Sequence, residues 1–394
     1  MTITRRHTTT RKLLVAAGGG GDAITAAMVH SALHGAATPA LVLTYAWERL
    51  VVDPVPGPRR ATDFTGTQPV GPDLALVTPA TRPVAPAGSL LPPLAAALRP
   101  RLGLLDPYAG ATGLARQIAA AAHWCGADRI DLVDVGGDIV AHGDEPTLRS
   151  PLGDALAVAA CAATGIPTTV YVAGPGLDNE VPPAALMPRL GAPAFALTAE
   201  HTEGVLGVFD WHPSEASAVL VAAARGIRGV CGTRDAPAPL VLDEASRGVH
   251  RLTLRRTLEL SPLARALAGS TTLDAAEEAS RTVCGFSEIE RERQRAAHPD
   301  AVRAAQAPAT PRSAETVRAG FAAWERAALA EGIAYVTTRR IVEELELGPV
   351  EAELLLDELR TGSPGRRAAP LWKLAAERVR VPAPGAVRPP DAAR

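Results

Sequence analysis

Four times within residues 1–180, a short apolar run ends in a loop that carries glycine. The runs are Lys12–Ala17, Leu102–Leu105, Ile130–Val135 and Thr168–Val172. Their loops hold Gly18 to Gly21, Gly110 and Gly113, Gly136 and Gly137, and Gly174 and Gly176. Short, mainly apolar runs of this kind suit strands buried on both faces, as in a parallel sheet. Helical patterns lie between them at Ala23–Leu33, Gly113–Cys125 and Pro151–Thr164, with Pro151 where a first helical turn accepts it. Further strands are predicted at Ala40–Thr44, Leu74–Thr78 and Ala194–Leu197, and a helix at Pro213–Arg225. The predicted fold class is α/β, a mostly parallel, Rossmann-like sheet with helices on both faces.

Residues 1–298 are assigned to this domain. The charged stretch 273–298 reads as helix, and residues 53–72, rich in Pro, Gly and Thr, read as a loop over the surface or the mouth of a site. A Pro/Ala-rich linker is predicted at 299–312, a small helical, winged-helix-like module at 313–375, and a disordered tail at 376–394.

Composition narrows the function classes. A hydrophobic content of 47% supports a full core in a chain of 394 residues. A net charge of −2 argues against a nucleic-acid protein, which would carry a basic excess. Lys12 and Lys373 are the two lysines, a bias expected of a GC-rich, actinobacterial genome. Cys125, Cys161, Cys231 and Cys284 lack zinc-site spacing, and Cys125 and Cys161 read as buried thiols. The apolar stretch Leu13–Ala17 is too short for a signal peptide, and no run approaches membrane-spanning length, so the expected location is the cytoplasm. The expected partner is a small-molecule ligand, with no nucleic acid and no membrane; self-association into a homo-oligomer stays open.

Chemistry concentrates between residues 130 and 154. The run Ile130–Val135 leads into Gly136-Gly137, and acids follow at Asp138, Asp144, Glu145 and Asp154. Ionised carboxylates stay together only when water, a metal or a cationic or polyhydroxyl group offsets their repulsion. Asp138, Asp144, Asp154 and His142 are the candidate catalytic groups. Asp134 and Asp138 are the candidate metal ligands, for which Mg2+ is the expected ion. The local alternatives are solvated loop acids at Asp144 and Glu145, and an Asp154–Arg149 pair.

The run Gly18, Gly19, Gly20, Gly21 places backbone N–H groups at a helix N-terminus, a setting for a phosphate or carboxylate. It matches neither GxGxxG nor a P-loop, and Asp22 repels phosphate unless a metal intervenes. Candidate ligand-binding residues are these four glycines with Asp22, Asp106, Thr112, Gly136, Gly137, Glu145 and Ser150. Thr112 is also a candidate helix cap. Within Asp210-Trp211-His212, Trp211 reads as a packing residue and His212 as a weaker site candidate. The chain contains no GxSxG or HExxH, and no lysine accompanies the candidate acids, which counts against Schiff-base chemistry.

The strand into GGGGD, the Asp-Val-Gly-Gly-Asp segment with its following Gly-Asp-Glu, and Ser-Pro-Leu-Gly-Asp opening a helix resemble an archaeal and bacterial family known as domain of unknown function 1152. The resemblance covers about residues 12–290 and carries no activity with it. Asp134–Gly143 is also faintly similar to the Asp-Gly-Gly-Asn-Glu-Ile-Gly stretch of D-glutamate cyclases, from which it departs at the second acid-amide pair. The expected function is a cytosolic enzyme, a transferase or lyase, in specialised metabolism. It would act on a small phosphorylated or carboxylated metabolite, such as a nucleotide or sugar phosphate, in a metal-assisted cleft. The alternatives are a lyase or cyclase acting on a small carboxylate, and a non-catalytic ligand sensor with a C-terminal effector module.

Overall fold

A computed structural model describes residues 12–234, 238–297, 311–362 and 364–375. Five parallel strands form its centre: β1 (Lys12–Ala16), β2 (Ala40–Tyr45), β3 (Arg101–Leu105), β4 (Ile130–Val135) and β5 (Thr168–Ala173). Their spatial order is β5-β4-β1-β2-β3. Antiparallel strands complete a nine-stranded sheet, Gly248–Thr253 and Phe195–Ala196 beyond β5, Ala75–Val77 and Gln68–Pro69 beyond β3.

Alternation along each strand feeds two cores. Leu13, Val15, Leu41 and Leu43 pack against helices α3 (Gly110–Cys125) and α4 (Pro151–Thr164). Leu14, Ala16 and Val42 face the other way, against α1 (Gly20–His34), α2 (Leu91–Ala97) and the helix Glu215–Ala224. Both faces are covered, so the strands read as mainly apolar runs, β4 being interrupted by Asp131 and Asp134. The sequence expectation of an α/β sheet with helices on both faces holds.

The C-terminal part contains strands as well as helices. Its order is helix Ala314–Ala330, strand Tyr335–Val336, helices Thr338–Glu344 and Pro349–Gly362, then the hairpin strands Arg367–Ala368 and Leu371–Lys373. Tyr335–Val336 pairs in parallel with Gly229–Gly232 of the preceding segment, giving a five-stranded sheet that crosses the predicted boundary. Leu371 lies in the same core as Leu220 and Cys231, while Phe321, Ile341 and Trp372 form a third core. Most of the predicted 299–312 linker and all of the 376–394 tail lie outside the described residues. Among the described residues no helix is long and apolar enough to cross a membrane.

Candidate functional site: a buried carboxylate cluster

The chain leaves β1 toward β2 and β3, then returns to the other flank of β1 for β4 and β5. The carboxyl ends of β1 and β4 therefore mark the point where strand order reverses, the usual ligand position in an open α/β sheet. Asp22 stands in the first turn of α1, Asp134 near the end of β4, and Asp154 in the first turn of α4. One oxygen from each lies within 4.8 Å of the others. All three side chains are buried, at 8%, 1% and 3% exposure.

Four more acids surround this triad. Asp138 opens a short turn after Gly137 and shares a hydrogen bond with Asp134. Asp178 and Glu180 come from the loop after β5, and Glu288 from the start of helix Glu288–Ala297. Burial raises the carboxyl of Asp22 to about 7, opposed by the Gly18 N–H and reinforced by Glu180. Burial, then Glu180, raises Asp178 to about 8. Asp134, Asp138 and Asp154 are held well above the carboxylate range, again first by burial; the charges of Asp22 and Asp178 add to this at Asp134, those of Asp154 and Glu180 at Asp138, and those of Asp134 and Asp22 at Asp154. Several of these groups are neutral near pH 7 unless a cation offsets their charge.

Hydrogen bonding separates the acids that support the site from those with oxygen to spare. Glu180 accepts from Arg149 N at 2.7 Å, Ser150 N at 2.8 Å and the Ser150 hydroxyl, so it fixes the start of α4. Arg149 also pairs with Glu180. By contrast, Asp134 Oδ2, Asp154 Oδ1, Asp178 Oδ2 and Glu288 Oε2 are sealed from solvent without a hydrogen-bond partner. Buried polar atoms left unpaired are uncommon, and those of Asp134 and Asp154 belong to the converging triad, which marks a place for a bound group. An all-oxygen donor set of this kind suits a hard divalent cation.

The glycines do two different jobs. A Cβ on Gly18 would lie 2.6 Å from Asp22 Oδ2 and 3.6 Å from Asp154 Oδ2, so this glycine keeps open the space beside the acids. On Gly19 it would meet the Trp47 carbonyl at 2.7 Å, and on Gly21 the Ser214 hydroxyl at 2.6 Å; both serve close packing. Gly136 has φ +109°, and its Cβ position falls on Asp178 Cγ, so Asp178 lies across it. Gly137 at φ +114° turns the chain toward Asp138, and Gly20 faces Leu94, Leu91 and His212.

Other candidates fall elsewhere. His142 and Asp144 are exposed and group with Glu145, apart from the buried triad. Glu145 is occupied, accepting from His142 N and Gly143 N and pairing with Arg189 at 2.7 Å. Asp106 accepts from Ala61 N and Tyr108 N and so organises its own loop. Thr112 does not cap α3; it lies inside the first turn, where its N–H donates to Ser270 O. Trp211 is 40% exposed rather than packed. His212 is buried, accepts the Ser214 N–H at Nδ1 and is lowered by burial to about 3. Cys125, Cys161 and Cys231 are buried free thiols.

Asp178, Glu180 and Glu288 are site acids that the sequence reading does not single out. The Gly174–Glu180 loop offers a signal for the first two, being a fourth glycine loop at a strand end with two acids. Glu288 offers none, because it belongs to a helix that reads as a charged surface.

Fold and cluster together define an open-sheet α/β protein with an acidic centre at its switch point. The chain belongs to the family described as protein of unknown function (DUF1152), whose profile matches residues 13–296. Comparison with curated proteins and with solved structures gave no match.

Proposed function

We propose that this protein is a divalent-metal-dependent enzyme acting on a small phosphorylated or carboxylated metabolite, with Mg2+ the fitting ion. The observation that carries the reading is the convergence of Asp22, Asp134 and Asp154 from three separate elements on one point within 4.8 Å. Acids so far above their ordinary range are also what acid/base and metal chemistry requires, and such groups cluster at functional sites. A phosphate would be met through the ion, because the amide of Gly18 is already taken by Asp22. Asp138 and Asp178 are the remaining carboxyls suited to proton transfer, and transfer or elimination is the class of reaction such a centre supports.

Calorimetric titration with Mg2+ and Mn2+, followed by a turnover screen with nucleotides and sugar phosphates, tests this. Cation binding abolished by Asp154→Asn, with metal-dependent turnover, is the expected result. Unchanged heats in the variant, or no binding by the natural chain, would sink it.

A second reading, a ligand sensor with a winged-helix-like effector, has one observation in its favour. Glu215 accepts from the Thr337 hydroxyl and pairs with Arg339, tying the C-terminal part to a helix whose Ser217 donates to Gly21 O. Tight metabolite binding without turnover, together with a changed exchange rate over 338–344, would favour the sensor.

A further inference from the structure

The unpaired oxygens of the acid site are sealed, so a cation and anything it carries can enter only when part of the wall moves. Most of that wall is deep core. Helix α4, which carries Asp154, buries eleven of its fourteen residues, and β4 is buried throughout. Helix Glu288–Ala297 is different, for it buries Ile289 and Glu292 among its ten residues.

Its attachments are mainly polar. Glu292 accepts from Gly57 N at 2.7 Å and from Trp47 Nε1 at 3.1 Å. Arg291 donates to Leu148 O at 3.3 Å, and Arg293 pairs with Glu277 at 2.8 Å. Water replaces such bonds at small net cost, whereas a buried apolar face has no substitute in solvent. Segments with little buried apolar surface are the ones that open locally.

Glu288 lies at the end of this helix nearest the acids. It accepts the Leu152 N–H, in the turn of α4 that holds Asp154, and its charge acts on Asp154. Its Oε2 is among the sealed oxygens with no partner. Lifting the helix withdraws Glu288 and uncovers the first turn of α4 in one motion.

We infer that helix Glu288–Ala297 is a detachable cover of the acid site and that Glu288 is the site carboxylate it delivers onto a bound cation. This rests on the reading that the cluster holds a divalent ion. Docking then adds a negative oxygen to the ion's surroundings, and the ion in turn holds the helix down.

The test uses the full chain with Mn2+ alone as probe. Hydrogen exchange followed by mass spectrometry should show peptide 286–297 exchanging faster than peptide 155–161, and slowing when Mn2+ is added. Glu288→Gln should weaken Mn2+ binding at least tenfold and remove that slowing. Ile289→Ala should speed exchange over the helix and the rate of Mn2+ association, and so gives a second handle if the first variant folds poorly.

If Asp154→Asn abolishes Mn2+ binding while Glu288→Gln binds as tightly as the natural chain, the cover is overturned and the metal site stands. The cover is equally overturned if Mn2+ binds but leaves exchange over 286–297 untouched. Failure of the natural chain to bind Mn2+ removes both.

Discussion

Asp22 accepts the Gly18 amide hydrogen at 2.5 Å, so the carboxylate of the first helical turn closes back on the glycine loop that precedes it. In a phosphate-binding loop of this shape an anionic ligand takes that amide. Here the protein supplies its own anion, and the glycine run becomes part of a carboxylate site. The contact also keeps Asp22 beside Asp154, since both flank the position where a Gly18 Cβ would stand.

Two neighbouring substitutions should therefore behave differently. Gly18→Ala forces Asp22 aside, and the expected outcome is Mn2+ affinity down at least tenfold with a small change in melting temperature. Gly19→Ala drives a methyl into the Trp47 carbonyl, a backbone atom that cannot yield cheaply. Its expected cost is about 1–3 kcal/mol of stability, and folded molecules should retain their cation affinity. Calorimetry paired with thermal melts distinguishes the two, and an exchange of these phenotypes would show the assignments reversed.

The raised carboxyls make stability depend on pH in a definite direction. In the unfolded chain an aspartate titrates near 3.9, whereas burial lifts Asp22 to about 7 and Asp178 to about 8. Between those values the folded state holds more protons than the unfolded one. The stabilisation is complete below pH ~4 and is lost as pH rises through about 7 to 8. Without divalent ions the melting temperature should fall across that interval, and saturating Mg2+ should restore most of the loss at pH 8. A melting temperature that rises from pH 5 to 8 without metal would contradict the cluster's electrostatics.

The sheet was legible in the sequence because each central strand is buried on both faces. Ile130–Val135 matches its predicted bounds in full for that reason, and helix Pro151–Thr164 does so because Pro151 opens it and Gly165, at φ +67°, closes it. Asp134 and Asp154 could be recognised from local spacing at a strand end and a helix start. Glu288 could not, since its approach to Leu152 depends on how a helix far along the chain packs back over α4. Glu145 misled in the opposite sense: an acid in the right loop satisfied by Arg189 and two backbone amides.

The predicted boundary near 312 gives another test. Removing everything beyond it leaves strand Gly229–Gly232 without Tyr335–Val336, an open edge able to pair with another chain. It also strips Thr337 and Arg339 from the buried Glu215 carboxylate, which keeps the Arg234 N–H; removing the partner of a buried ion pair costs about 3–5 kcal/mol. The truncated chain is expected to aggregate or to elute as oligomers on size exclusion, where the full chain gives one species. A soluble, monomeric fragment with native melting behaviour would show the C-terminal part to be separable after all.

Asp138 and Asp154 allow the sharpest comparison, because both are buried acids but only one lies in the converging triad. Asp154 has an unpaired, sealed Oδ1 and an oxygen within 4.8 Å of oxygens from Asp22 and Asp134. Asp138 shares a hydrogen bond with Asp134, as Asp154 does, but offers no oxygen to the converging triad. Asp154→Asn removes a ligand charge and should reduce cation affinity by more than about 10²-fold, beyond the range for a residue that only orients a ligand. Asp138→Asn should cost roughly 10- to 100-fold, the range typical of residues that orient a metal ligand. In the absence of metal, each variant relieves repulsion among clustered acids, so each should melt at an equal or higher temperature than the natural chain at pH 8. If Asp138→Asn instead lowers the melting temperature with affinity intact, Asp138 serves the turn after Gly137. If Asp154→Asn does the same, no ion binds between these three carboxylates.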